Sequence, residues 1–377
     1  MKKIKIAVVI PTHFDIHSSL NNLLKVYRYL IKTKNIEVTI FTDRKNDAIF
    51  RGFKVVRING TGHQNVLSKI LFVLGIPRFY YRDLVEKLKG YDFIESSNPE
   101  FYMFAYQSYL AAKKYNAKLV YRTSQTVEGF LFFKLTKYII IPIMKKAYGY
   151  ASAFLFTNPQ AEERCVKLGL IEKNSEKSII VGHPTDTGTF RPLKLKKINK
   201  NNAVILSVGG LYKIKGHHLI IRALKKVIET GHEAELWIVG EGYYRKNLAE
   251  LARKLDVSGR VKFLGNKSHG ELAEIYNRSD MLVLANYQEV TPAVNEAMAC
   301  GKPVVVMDCG GREFVVPDEN YGLIAKRLDT GDIARKIILL IENKKIAGKI
   351  SGNGRRYISK NFSMQKAAEK FCRAFAL

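Results

Sequence analysis

The sequence predicts an α/β protein built from two doubly wound, Rossmann-like domains facing a central cleft. Three observations lead there. The chain has 377 residues, 47% of them hydrophobic, more than a single core usually serves. Short runs rich in Val, Ile and Leu alternate with helical patterns from end to end. Within those runs the apolar residues are nearly continuous, as in parallel strands covered on both faces.

In the first half the candidate strands are "IKIAVVI" (4–10), "EVTIF" (37–41), "YDFIE" (91–95), "AKLVY" (117–121) and "SAFLF" (152–156). The opening "MKKIKIAVVIPTH" begins like a signal peptide, but its apolar run stops at Pro11 without a small-residue cleavage site, so it reads as a first buried strand. In the second half the strands are "AVILSV" (203–208), "ELWIV" (235–239), "RVKFL" (260–264), "MLVLA" (281–285) and "PVVVM" (303–307). Ile220, Ala223, Leu224, Val227 and Ile228 follow the spacing of an amphipathic helix, as do Leu248, Leu251, Ala252 and Leu255. The polar, basic "RPLKLKKINKNN" marks a linker over 186–202. It separates a first domain over 1–185 from a second domain over 203–360. A helix over 361–377 is expected to return to the first domain.

The four cysteines are scattered, with no Cys-x-x-Cys pair, which fits a reducing cytosol and neither a disulfide framework nor a zinc site. No apolar run reaches the roughly 20 residues of a membrane-spanning helix. The nearest, 130–146, is interrupted by Lys134, Lys137 and Pro142. The expected location is therefore cytoplasmic, either free or peripheral on the cytoplasmic membrane face. A net charge of +28 favours nucleic acid, anionic lipid or anionic small substrates, although the lysines are spread along the chain and each one alone is read as solvated surface. A nucleic-acid binder ranks last, because no recognition helix or RNA-binding signature accompanies the charge.

Three stretches point to chemistry. In "NYQEVTPAVNEAMACGKPVV" (286–305), Thr291 suits an N-cap, Pro292 the first helical position, and Gly301 the residue past the helix end. The spacing predicts a helix over 292–300 whose start offers free N–H groups and a positive dipole end, suited to a phosphate. Glu289 lies in the preceding loop and Glu296 in the second turn, where carboxylates can accept hydrogen bonds from sugar or ribose hydroxyls. Read alone, an exposed loop glutamate and a helix-dipole glutamate explain them slightly better. In "LSVGGLYKIKGHHLIIRAL" (206–224), Gly209 and Gly210 let backbone approach a ligand, and Lys215 is placed to bring an ammonium to a diphosphate. "WIVGEGYYR" (237–245) has Gly240 and Gly242 but lacks the third glycine of a dinucleotide fingerprint.

The order and spacing of these stretches, with "GHPTDTGTFRP" (182–192), "VKFLG" and "CGGREFVVPDENYGLI" (309–324), resemble the retaining GT-B glycosyltransferases of family 4. The resemblance implies a metal-independent retaining hexosyltransferase with no cofactor, moving a sugar from a nucleotide-diphosphate sugar to a lipid-linked or polysaccharide glycan. It implies catalytic roles for Lys215 and Glu289. Donor binding would fall to Gly209, Gly210, Lys213, Gly240, Gly265, Val290, Thr291 and Glu296, with Glu296 on the ribose. Ser18, Ser19 and Ser124 would lie on the acceptor side. The chain departs from the family in three places. Gly210 stands where an arginine is usual, with Lys213 able to replace that cation. The two glutamates are seven positions apart, one fewer than usual, so Gln288 competes with Glu289. "RTSQT" (122–126) lacks the acceptor-side histidine. These departures motivate a second reading, a GT-B protein that binds sugar nucleotide or glycan without turnover. Segments 66–90 and 130–150 mix aromatics, aliphatics and lysines and suit either membrane-interface helices or covers of the first sheet.

Overall fold

The computed structural model describes residues 3–10, 19–46, 50–61, 80–97, 103–123, 133–195, 202–287 and 291–377. The chain divides into two compact units, Met1–Pro184 with Met364–Leu377, and Thr185–Ser363. In the first unit the strands are β1 (Ile4–Val9), β2 (Ile36–Asp43), β3 (Lys54–Ile58), the short antiparallel pair β4 (Gly60–Thr61) and β5 (Tyr80–Tyr81), β6 (Phe93–Ser97), β7 (Lys118–Thr123), β8 (Ala153–Phe156) and β9 (Ser178–Ile180). Seven of them form one parallel sheet in the order β3-β2-β1-β6-β7-β8-β9.

The continuous apolar character of β1 has a direct consequence. Ile6 and Val8 feed one core and Ala7 and Val9 the other, so both sheet faces are covered. The helix Met364–Phe375 presents Ala367, Ala368, Phe371, Ala374 and Phe375 to the core of Ile6 and Val8. There Phe371 meets Tyr27, on the helix Ser19–Thr33, edge-on at 5.4 Å. The helix Phe133–Tyr150 runs on through Pro142. Among the described residues no helix is long and apolar enough to cross a membrane.

The second unit repeats the plan with β10 (Ala203–Val208), β11 (Ala234–Val239), β12 (Val261–Gly265), β13 (Met281–Leu284), β14 (Val304–Met307) and β15 (Leu323–Ala325), ordered β12-β11-β10-β13-β14-β15. Again alternate residues part: Ile205 joins one core, Val204 and Leu206 the other. The chain steps outward from β10 to β12 and then returns to β13 on the other side of β10. That reversal is a topological switch point, and ligands of doubly wound sheets sit beyond the carboxyl ends of the strands there. Residues 185–193, which overlap the linker read from sequence, are held in this unit. Thr185 N–H donates to Phe362 O at 2.8 Å, Phe190 is buried against Tyr276, and Leu193 N–H donates to Asn277 Oδ1 at 2.8 Å.

Candidate functional site

The site is built where β10 and β13 end side by side. After β10 the chain passes Gly209 and Gly210, makes a 3₁₀ turn over Lys213–Lys215, and enters the helix His217–Glu229 through Gly216. Gly216 has φ +71°, and a Cβ there would lie 1.9 Å from the Ala285 carbonyl oxygen, so only glycine lets the lysine turn press against the residue that follows β13. Tyr287 N–H donates to Ile214 O at 3.1 Å, clipping the segment that leads toward 288–290 onto the same turn. The neighbouring turns are laced in as well. Gly209 N–H donates to Val239 O at 3.0 Å, Leu211 N–H to Glu241 O at 2.9 Å, and Gly240 N–H to Gly265 O at 3.0 Å. Backbone bonds thus unite the turns after β10, β11 and β12.

Lys215 is half-buried, with its aliphatic chain lying across Gly209, while Lys213 is exposed on the same turn. A Cβ at position 210 would come 2.6 Å from the ring of the exposed Tyr212, so a larger residue there requires that ring to turn aside. Tyr212 and the exposed Tyr243 bring their rings to 5.4 Å at the rim of these turns.

Behind the glycine turn sits His217, 1% exposed, with Nδ1 3.0 Å from Ser207 Oγ. Its Nε2 has no hydrogen-bond partner and lies 3.8 Å from where a Gly209 Cβ would stand. Burial pushes its pKa down to about 4, with the Gly210 and Gly209 backbone opposing and the Lys215 charge adding, so the imidazole is neutral at pH 7. His218 Nε2 is 2.8 Å from the Tyr287 hydroxyl, and burial, then Arg222 and Lys213, hold its pKa below the ordinary value.

The second wall is the helix Pro292–Ala299, with Pro292 at its first position and Thr291 at the N-cap position. Thr291 does not cap through its side chain, contrary to the sequence reading. Its backbone is extended, but Oγ1 is buried without a hydrogen bond, and only the Thr291 carbonyl is used, by Val294 N–H at 3.1 Å. The far end closes as expected for Gly301. Lys302 N–H donates to Ala297 O and Gly301 N–H to Met298 O, each at 2.9 Å, a Schellman pair around the left-handed glycine. Cys300 is the cap rather than the last helical residue.

Glu296 is 4% exposed, and its Oε2 accepts the Tyr276 hydroxyl at 3.0 Å. Burial, then the Glu296 charge, raise the Tyr276 pKa well above its usual value and push the Cys300 thiol up to about 12. Tyr276 and His217 were not picked out from sequence. The only available hints were the His217-His218 pair after Gly216 and the place of Tyr276 one helix before β13. Glu289 and Val290 lie outside the described residues, as do Gln288, Ser18 and Ser124; Ser19 begins the helix Ser19–Thr33. Gly209, Gly210, Lys215, Gly240 and Gly265 therefore lie on the laced turns, with Lys213 exposed on the lysine turn and Thr291 and Glu296 at the helix after β13.

In the first unit, Arg122 in the "RTSQT" stretch donates from Nε to Glu95 Oε1 at 2.7 Å, and the Tyr27 hydroxyl bonds the other carboxylate oxygen. Burial raises the Glu95 pKa and the Arg122 charge opposes it.

Residues 193–357 match the family described as glycosyl transferases group 1. The whole chain superimposes on Anabaena HepE in complex with UDP with a TM-score of 0.79 at 18% identity, covering 99% of this chain and 100% of that one. Against sucrose-phosphate synthase from Thermosynechococcus elongatus the TM-score is 0.76 at 18% identity, with 99% and 98% covered. The whole chain thus has the two-domain GT-B fold, and residues 193–357, under half of its length, resemble the group 1 glycosyltransferases. Among named relatives, the N,N'-diacetylbacillosaminyl-diphospho-undecaprenol alpha-1,3-N-acetylgalactosaminyltransferase of Campylobacter jejuni is 28% identical over 298 residues, 74% of this chain and 75% of that protein. An uncharacterized glycosyltransferase of Methanocaldococcus jannaschii is 31% identical over 162 residues, less than half of either chain at 43% and 44%.

Proposed function

We propose that the protein transfers a hexose from a nucleotide-diphosphate sugar to a glycan acceptor, lipid-linked or polysaccharide, with retention at the anomeric carbon and without a metal ion. The observation that carries the reading is the clip between Tyr287 and Ile214 with the Gly216–Ala285 contact, which joins the lysine turn to the segment leading to the helix Pro292–Ala299. An anion held there meets backbone N–H groups, a helix start and the Lys215 ammonium together. In the transfer the bond from the anomeric carbon to the diphosphate oxygen breaks, the diphosphate keeps the electron pair, and the acceptor hydroxyl oxygen bonds the same face as its proton passes to the departing diphosphate oxygen. Lys215 offsets the charge that grows on the leaving group. Glu296, fixed by Tyr276, holds the ribose hydroxyls; Glu289 holds the sugar. The C. jejuni relative acts on a diphospho-undecaprenol substrate, which favours a lipid-diphosphate acceptor, and the UDP complex of HepE favours a uridine donor. A peripheral position on the cytoplasmic membrane face would bring such an acceptor within reach.

The test is a thermal-shift screen with UDP-, GDP- and ADP-sugars in EDTA. A donor at a hundred times its dissociation constant is expected to stabilise the fold by about 2.7 kcal/mol. No shift with any of them would overturn the reading, and a shift that needs added Mn²⁺ or Mg²⁺ would overturn its metal-free part.

A further inference from the structure

The other edge of the first sheet, where its strands begin, carries a cavity of about 390 Å³ lined by four lysines, Lys5, Lys54, Lys87 and Lys89. The fold brings them together from separate stretches. Lys5 is the second residue of β1 and is in register with Glu37, the second residue of β2. Lys54 opens β3, Lys87 ends the helix Leu84–Lys87, and Lys89 follows it. All four are exposed, and among the described residues none forms an ion pair.

Glu37 is the one carboxylate in the lining, and it too is unpaired among the described residues. The nearby acids are otherwise engaged. Asp92 accepts the Lys5 backbone N–H at 2.8 Å, and Glu86 pairs with Lys114 at 3.6 Å. Tyr91, edge-on to Phe41 at 5.5 Å, supplies an apolar wall.

Four ammonium groups facing one carboxylate repel one another, and a bound polyanion relieves that repulsion. Lysine gives compact point charges rather than a planar fork, which suits the tetrahedral oxygens of phosphate. Ligands of doubly wound sheets sit at the strand carboxyl ends, so this cavity is on the wrong edge to serve a transfer reaction.

We propose that it is a second anion site, taking the phosphate groups of a lipid headgroup or of a free phosphate ester. It stands independently of the donor reading. The test uses the full chain, with inorganic pyrophosphate in calorimetry and with phosphatidylglycerol-containing vesicles in flotation, both at low salt. Lys87→Ala with Lys89→Ala is expected to weaken binding at least tenfold while leaving donor turnover unchanged, since each nearby cation contributes roughly 1 kcal/mol toward an anionic surface. Glu37→Gln is expected to tighten it several-fold, an effect that loss of structure would not produce. Pyrophosphate held at the glycine turns would respond to Lys215→Ala instead, which separates the two sites. Loss of pyrophosphate binding alone assigns a free phosphate ligand; loss of flotation alone assigns a lipid headgroup. If Lys344→Ala with Lys345→Ala does the same damage, or if neither probe responds, the cavity is only part of a diffuse basic surface and the proposal fails.

Discussion

The two sheets share one plan and differ in what holds the middle of each. In the second unit, backbone bonds knit the turns beyond β10, β11 and β12, and Gly216 lets the lysine turn touch Ala285. In the first unit the centre is held by side chains, a buried carboxylate on β6 clasped by Arg122 of β7 and Tyr27 of a covering helix. Backbone lacing depends on glycines at fixed places and leaves a mark in the sequence. A buried ion pair depends on three residues far apart in the chain, and nothing local announces it.

The largest effect is expected from breaking that clasp. Arg122→Leu leaves Glu95 buried without its cation, and removing one partner of a buried pair costs about 3–5 kcal/mol. The loss should be greater at pH 7 than at pH 5, because burial already raises the Glu95 pKa and without Arg122 the carboxyl can take a proton instead. Thermal melts of wild type and variant at the two pH values check this. Equal losses at both would mean that Glu95 is not the group left stranded.

Next comes the laced turn itself. Lys215→Ala removes the cation beside Gly209 and should lower turnover about a hundredfold, roughly 3 kcal/mol, with the melting temperature unchanged. Near-wild-type rates with purified donor would remove Lys215 from the chemistry, and a lower melting temperature would make it a structural residue. The comparison also has a pH signature. His217 has a folded pKa of about 4 against 6.5 unfolded, so below pH 6.5 the unfolded chain binds the proton first. Stability contributed by the neutral imidazole is intact above pH 6.5 and is lost as pH falls toward 4, by about 3 kcal/mol at most. His217→Gln should flatten that limb of the stability curve. A curve of unchanged slope would show that His217 is not its source.

Much of this was legible in sequence, for physical reasons that also explain the gaps. β10 was read to the residue because all six of its positions suit a buried strand. β3, "KVVRI", carries charges at two positions, and β9 and β15 are three residues each, too short for any period to show. The turns after β10 and β11 were visible because glycine punctuates them. Tyr276 and His217 were not, because their importance comes from burial against Glu296 and Ser207, which only the fold brings about. Gly210 was read as a missing cation, and the ring of Tyr212 lies beside it.

The smallest expected effect separates a real cap from an apparent one within the second unit. Ser268 and Thr291 both stand at the N-cap position of a helix, and both are residue types that favour it. Ser268 makes a full capping box, taking Glu271 N–H on its hydroxyl while the Glu271 carboxylate accepts the Ser268 backbone N–H at 2.9 Å. Thr291 makes no side-chain cap bond. Ser268→Ala should therefore cost about 1 kcal/mol in denaturant unfolding and Thr291→Ala only a few tenths. The donor-induced thermal shift should invert that order, because Thr291 stands where the anion would sit and Ser268 does not. If Thr291→Ala proves the more destabilising of the two, its hydroxyl caps the helix in solution and the start of Pro292–Ala299 is less open to a ligand than its geometry implies.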